Sequence, residues 1–333
     1  MTLDVGVVGV GSMGLNHARV YDQIRRANLV GVADADVDRA ESVAARVGTE
    51  ALRTDELLAR VDAVSVVTPT EYHASVVESC IDHGVDVLVE KPFVTSPERG
   101  RALLSRAQAE DVTVQVGHVE RFNPAVTELS RIAENLTPIA IEARRLGPPP
   151  DTDRDLDDVV LDLMIHDIDV AQSLVSQPVV DVNAAEAANG RYTTAQLQFG
   201  DGTVATLTAS RVTQQKVREL AVTTEECYVE LDYIEQSIEI HRRSRPEYLE
   251  SEGNLSYRHE GVTERPLVPA GEPLKLELES FVESIESGDV PRVTGRDGVR
   301  AVALANTIQR AATGTDGVRS GDDAVIESAE TNR

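Results

Sequence analysis

The chain is 333 residues long and sets 57 acidic residues against 32 basic ones, a formal net charge of −25 with the acids spread along its whole length. That length gives room for two cores, while the charge argues against nucleic-acid partners. No apolar run reaches the 18 residues of a membrane helix, and the N-terminus lacks the basic segment and apolar stretch of a signal peptide. Cys80 and Cys227 sit in apolar contexts without metal-type spacing. They are expected as buried free thiols in a reducing, cytoplasmic compartment, with no metal and no membrane partner. Only three of the basic residues are lysines: Lys91, Lys216 and Lys275. A dispersed acidic surface repels itself in dilute buffer, and at about 1 M salt the Debye length of ~3 Å screens that repulsion. The composition therefore predicts a halophilic protein, adapted to high intracellular salt.

In chain order, the β-branched run Leu3, Val5, Val7 and Val8 leads into Gly9-Val10-Gly11-Ser12-Met13-Gly14. This is G-x-G-x-x-G: the first glycine permits a tight turn, the second lets backbone approach a pyrophosphate, and the third lets helix and strand pack closely. A helix over 12–26 then points its first N–H groups at the phosphates. A strand over 29–33 ends at Asp34, twenty residues past Gly14, where a carboxylate can accept hydrogen bonds from an adenosine ribose. A 2′-phosphate about 4 Å from that carboxylate would be repelled by a few kcal/mol, so NAD is favoured over NADP. Arg39 could soften the preference. The plainer alternative for Asp34 is a cap on a helix over 36–47.

A short helix near 54–59 and an apolar strand over 63–67 lead to Thr68-Pro69-Thr70, and Thr70 can cap the helix that carries His73 as far as His83. A strand over 85–89 ends at Glu90-Lys91-Pro92. A helix over 97–110 and a strand over 113–116 end at Gly117-His118. This alternation predicts a doubly wound parallel sheet, the fold the resemblance below names a Rossmann domain, in which ligands bind beyond the strands' carboxyl ends. The glycine loop, Asp34, Thr68, Pro69, His73, Glu90, Lys91 and His118 all fall on that edge.

Beyond Asn123-Pro124 the pattern changes. A helix over 125–135, a strand over 138–146 and a break at 147–150 precede a helix over 156–175. Strand-like runs follow at 179–186, 194–199, 203–211, 218–223, 227–232 and 237–241, with Asp201-Gly202 as a hairpin signal. The second half is expected as an α/β domain with an open, largely antiparallel sheet. Helices over 274–287 and 296–312 are expected to pack back on the domains. The division expected is 1–122 for the cofactor domain, 123–313 for a second domain, to which the family resemblance given below assigns substrate binding and oligomerisation, and 314–333 for a polar tail.

Two groups could do chemistry. Lys91 leaves the end of a buried strand before a proline, where it could share a proton with a substrate hydroxyl; an ion pair with Glu90 is the bland alternative. Asp162 and His166 are four apart on the predicted helix, so the acid can orient the ring, although a histidine among Leu161, Met164, Ile165 and Ile168 can also be a core residue.

The glycine loop, Thr68-Pro69 with His73, Glu90-Lys91-Pro92 and Asp162-x-x-x-His166 occur in an order and spacing that resemble the Gfo/Idh/MocA oxidoreductases over about residues 1–310. The resemblance implies NAD(P)-dependent oxidation of a sugar or cyclitol hydroxyl, with Lys91, Asp162 and His166 as catalytic residues. It also implies a homodimer or homotetramer assembled through the second-domain sheet. Many members carry glycines ahead of the D-x-x-x-H pair, where this chain has Asp157-Asp158-Val159-Val160. The segment 117–124 and the run 162–169 look most like the branch that oxidises nucleotide sugars such as UDP-N-acetylglucosamine. By that resemblance His118, Arg121, Asn123, Asp162 and His166 line the substrate pocket. Arg144, Arg145, Arg211 and Lys216 are candidate diphosphate partners, or partners of surface acids. A dehydrogenase of a free aldose or inositol and a non-catalytic NAD-binding regulator are the alternatives.

Overall fold

The computed structural model describes residues 2–134, 136–149, 158–243, 247–251, 254–258 and 261–314, with backbone alone for 247–251 and 254–258. The chain begins with β1 (Leu3–Val8), α1 (Ser12–Tyr21), β2 (Ala27–Ala33), α2 (Val37–Val47), β3 (Glu50–Ala51) and α3 (Thr54–Leu58). Next come β4 (Ala63–Val66), α4 (Thr70–His83), β5 (Asp86–Glu90), α5 (Pro97–Ala109), β6 (Val114–Gly117) and a 3-10 turn over Val119–Phe122. Then follow α6 (Pro124–Ala133), β7 (Ala140–Leu146) and a π-helical turn over Val160–Met164 that runs into α7 (Ile165–Leu174). The strands β8 (Val179–Ala187), β9 (Tyr192–Phe199), β10 (Val204–Ser210), β11 (Val217–Thr223), β12 (Cys227–Asp232) and β13 (Ser237–Arg243) come next. Last are β14 (Glu247–Ser251), β15 (Asn254–Arg258), β16 (Gly261–Glu264), α8 (Pro273–Ser287) and α9 (Gly295–Thr313).

The chain divides into two compact units: Met1–Phe122 with Gly271–Leu304, and Asn123–Ala270 with Ala305–Arg333. In the first, six parallel strands run in the order β3-β2-β1-β4-β5-β6. The strand order reverses between β1 and β4, and a crevice opens at the carboxyl ends of strands at such a switch point. The strands are almost wholly apolar because both faces are covered. Tyr21, Leu278, Phe281 and Val282 pack with Val5 and Val7, while Phe93, Leu103 and Val299 pack with Val87, Val89 and Val116. The segment 271–304 thus belongs to this unit's core.

In the second unit the sheet order is β16-β13-β12-β11-β7-β10-β9-β8, antiparallel except for the parallel pair β7–β10. Helices α6 and α7 pack on this sheet. Strand residues alternate: Ile141, Ala143, Leu197, Leu207, Leu220 and Val229 are buried, while Glu142, Arg144, Gln196, Thr206, Glu219 and Glu230 are exposed.

Several expected bounds shift for physical reasons. Helix α1 stops at Tyr21, not 26, because short-range bonds from Gln23 to Val20 and Ile24 to Tyr21 wind the chain into a turn that buries Ile24. The strand β3 pairs with β2 over two residues, too short for any periodicity to reveal, and β14 to β16 lay outside the expected strands. The helix expected over 156–175 is interrupted by its π turn, and its first residues 156–157 lie outside the described residues. So do Asn135, Pro150 and the tail beyond Gly314. No described helix is long and apolar enough to cross a membrane.

Candidate active site

The glycine loop is shaped by close approach. Gly9 has φ +88°, and a Cβ there would stand 2.7 Å from the Val67 carbonyl oxygen and 2.8 Å from the Thr68 nitrogen. At Gly14 a Cβ would stand 1.9 Å from the Gly9 carbonyl oxygen, so α1 can begin under the loop only with glycine in that place. At Gly11, by contrast, a Cβ would meet nothing within 4 Å. Gly11 is also the N-cap of α1 and provides no side-chain cap, so the first turn with Ser12 and Met13 offers its N–H groups to an anion. Nearby on β4's carboxyl end, the buried Thr68 hydroxyl has no hydrogen-bond partner among the described residues.

Asp34 braces this loop: its Oδ2 accepts from Val10 N at 2.8 Å and its Oδ1 from Asp36 N at 2.9 Å. Arg39 Nη1 reaches Oδ1 at 3.4 Å. The cap on α2 is Asp36, which accepts from Arg39 N at 3.1 Å, so capping is not the role of Asp34. A cradle open at Gly11, closed at Gly9 and Gly14 and ending in an acid fits an adenine dinucleotide. Asp34→Ala is expected to weaken NAD binding by about tenfold or more, the scale of a lost charged hydrogen bond, and to narrow the advantage over NADP. Fluorescence titration with both nucleotides reads this out; an unchanged ratio would confine Asp34 to bracing the loop.

Lys91 is half-buried at the end of β5. The register sets Glu90 beside Gly117 of β6. The Glu90 carboxylate points inward: Oε1 meets His17 Nε2 at 3.1 Å, and Oε2 accepts from Lys91 N at 3.1 Å. Burial pushes the Glu90 carboxyl up, but the His17 hydrogen bond and the charges of His17 and Lys91 outweigh it and hold the group below its ordinary value. His73 is buried, with Nδ1 2.9 Å from the Pro92 carbonyl oxygen and Nε2 2.8 Å from that of Thr68. Its ring is therefore wedged between the carbonyls of two strand-end loops, donating to at least one of them, beside Pro69. His118 is 1% exposed, and neither ring nitrogen has a hydrogen-bond partner among the described residues. Arg121 begins the Arg121-Phe122 pair, with the Arg292 guanidinium 5.3 Å from the Phe122 ring centre. Burial and then the like charge of Arg121 push the Arg292 pKa down.

In the second unit Asp162 lies in the π turn and His166 in the first turn of α7. The wider turn rotates Asp162 from where a continuous α-helix would set it; such turns recur at functional sites. Asp162 pairs with the largely buried Arg211. Arg145 forms a bidentate pair with Asp167, both contacts 2.9 Å with the side chains 5% and 3% exposed, and its guanidinium lies 5.0 Å from the Tyr233 ring centre. Arg144 lies 3.6 Å from Glu219. Three of the four cations offered to a diphosphate are thus matched with acids, and Lys216 is exposed. Asn123 caps α6 by accepting from Ala125 N, and its amide donates to the Tyr233 carbonyl at 3.0 Å. Sequence reasoning missed His17 and the partner of Asp162; the signal for His17 was its place on the face of α1 that carries Ala18 and Tyr21.

Residues 3–118 match the family model described as "Oxidoreductase family, NAD-binding Rossmann fold", and residues 139–230 match the GFO/IDH/MocA C-terminal domain. The UDP-N-acetylglucosamine 3-dehydrogenase of Acidithiobacillus ferrooxidans is 35% identical over 305 residues, 90% of this chain and 94% of that enzyme. The chain belongs to the Gfo/Idh/MocA family. Within that family, the inositol 2-dehydrogenase of Rhizobium meliloti is 29% identical over 336 residues, 93% of this chain and 97% of the relative. A solved structure of the Acidithiobacillus ferrooxidans enzyme superposes with a TM-score of 0.84, covering 94% of this chain and 98% of that one. This Gfo/Idh/MocA protein is therefore an NAD-dependent oxidoreductase.

Proposed function

We propose that the enzyme moves a hydride between NAD and a secondary alcohol of a nucleotide sugar, with UDP-N-acetylglucosamine oxidised from the 3-hydroxyl to the 3-ketone. The observation that carries this reading is the similarity to a UDP-N-acetylglucosamine 3-dehydrogenase across nearly the full length of both chains. Bound NAD supplies the hydride acceptor, held by the glycine loop and Asp34. His166 takes the hydroxyl proton, and Lys91 polarises the same oxygen with its ammonium group. Asp162, fixed by Arg211, stabilises the protonated imidazole. His118 and Arg121 are proposed as contacts to the sugar, and the solvent-facing side of the second-unit sheet as the contact between copies of the chain.

A free inositol is the second reading. The pairing of Arg144, Arg145 and Arg211 with acids favours it, because those cations then stabilise the sheet rather than a diphosphate. The test is reduced-nicotinamide absorbance in molar KCl, where the acidic surface is screened, with a carbonyl trap to draw the ketone off. Turnover that requires UDP-N-acetylglucosamine and is absent with myo-inositol is expected. Turnover of myo-inositol alone would replace the first reading by the second.

A further inference from the structure

We propose that His17 is a positioning residue for Lys91, acting through the Glu90 carboxylate. The inference rests on the reading of Lys91 as a reactive group. His17 is fully buried on α1, three residues after the last glycine of the loop. Its Nε2–H donates to Glu90 Oε1 at 3.1 Å, and the other carboxylate oxygen accepts from the Lys91 backbone nitrogen at 3.1 Å. On the far side β6 closes the space: a Cβ on Gly117 would stand 3.1 Å from the Glu90 carboxyl carbon. Both oxygens are engaged and the flank is blocked, so the carboxylate cannot swing.

Neighbouring positions of β4 and β5 are valine and leucine, and a buried carboxylate costs several kcal/mol unless paired. What the pair does is join two functional segments. The helix that opens with the phosphate-binding amides is tied, through one imidazole and one carboxylate, to the backbone that carries Lys91. Small displacements of such a group are costly: about 1 Å of misplacement can remove as much as 10²-fold in rate.

Only three lysines are present, which permits a readout independent of turnover. Reductive methylation of the full-length chain with ¹³C-formaldehyde gives separate NMR signals for Lys91, Lys216 and Lys275, with Lys91 assigned by Lys91→Arg. In His17→Leu the Lys91 signal is expected to move while the other two stay. His17→Gln, whose amide can still donate to Glu90, should keep the Lys91 signal near its original position. With UDP-N-acetylglucosamine or myo-inositol, whichever is turned over, His17→Leu should lower kcat on the order of tenfold or more. His17→Gln should restore most of it, and NAD affinity should change little in either. In a Lys91→Ala background His17→Leu should cost nothing further.

A Lys91 signal unmoved in His17→Leu, a glutamine variant no better than leucine, or NAD affinity falling in step with kcat would each overturn the proposal. Should His17→Leu fail to fold, Glu90→Gln keeps the volume, drops the charge and is read in the same way. Failure of the catalytic reading is separable: Lys91→Ala with full turnover would remove Lys91 from the chemistry, while the NMR arms still decide whether His17 positions it.

Discussion

Lys91→Ala should lower kcat by about 10²-fold or more, the scale of a lost acid–base partner, while NAD binds nearly as before. The split follows from where the residue is held. The glycine cradle and the Asp34 brace are complete without the Lys91 side chain, since they are built from Gly9, Gly11, Gly14 and Val10. What disappears is the ammonium group at the end of β5, which no neighbouring group replaces in kind: Glu90 is turned inward and both ring nitrogens of His73 face carbonyl oxygens. Lys91→Arg separates two roles of the same group. A guanidinium keeps the positive charge but does not release a proton. Partial activity in that variant assigns Lys91 to polarising the oxygen and leaves the proton to His166; activity as low as in Lys91→Ala assigns the proton to Lys91. Steady-state kinetics paired with NAD titration measures both, and near wild-type turnover in Lys91→Ala would exclude the residue from the reaction.

The largest loss of stability is expected from Asp167→Ala. The Arg145–Asp167 pair is almost fully buried, and Asp167→Ala deprives the buried guanidinium of its bidentate carboxylate, a change that costs about 3–5 kcal/mol. Against a total stability of roughly 5–15 kcal/mol, that is a large share. The pair links β7 to α7, so the damage falls on the unit that carries His166. A double variant, Arg145→Met with Asp167→Leu, removes both charges and should recover much of the loss, because apolar groups of similar volume often replace a buried ion pair without penalty. Urea midpoints in molar KCl compare the three proteins. A single variant as stable as the parent would mean that Arg145 finds another acceptor.

How much was legible in the sequence can be judged from these same residues. The cofactor edge was readable because each of its signals is local: a β-branched run, glycines at fixed offsets and an acid at the end of the second strand. That Asp34 would accept from Val10 was not, because the bond joins positions 24 apart that come together only when β1 and β2 pair. Arg145 shows a different limit. Strand β7 alternates Ile141, Ala143 and Arg145 on one face, so period-two reading puts Arg145 inward, while its charge argues for an outward place. The buried Asp167 resolves the conflict, and it lies 22 residues away on a helix. Nor does residue type mark a π turn at 160–164, since the apolar run reads equally as ordinary helix.

The first unit is built from two separated pieces of chain, 1–122 and 271–304. On a ribosome the six-stranded sheet is therefore finished long before the residues that cover it exist. Leu278, Phe281, Val282 and Val299 emerge only after the entire second sheet has been made, a delay of roughly 10–40 s at ordinary elongation rates. During that interval Val5, Val7, Val87 and Val116 lack part of their cover. The nascent chain thus holds an unfinished half in reserve while its later half folds, and the yield of folded protein is expected to respond to translation speed and chaperone supply as well as to final stability.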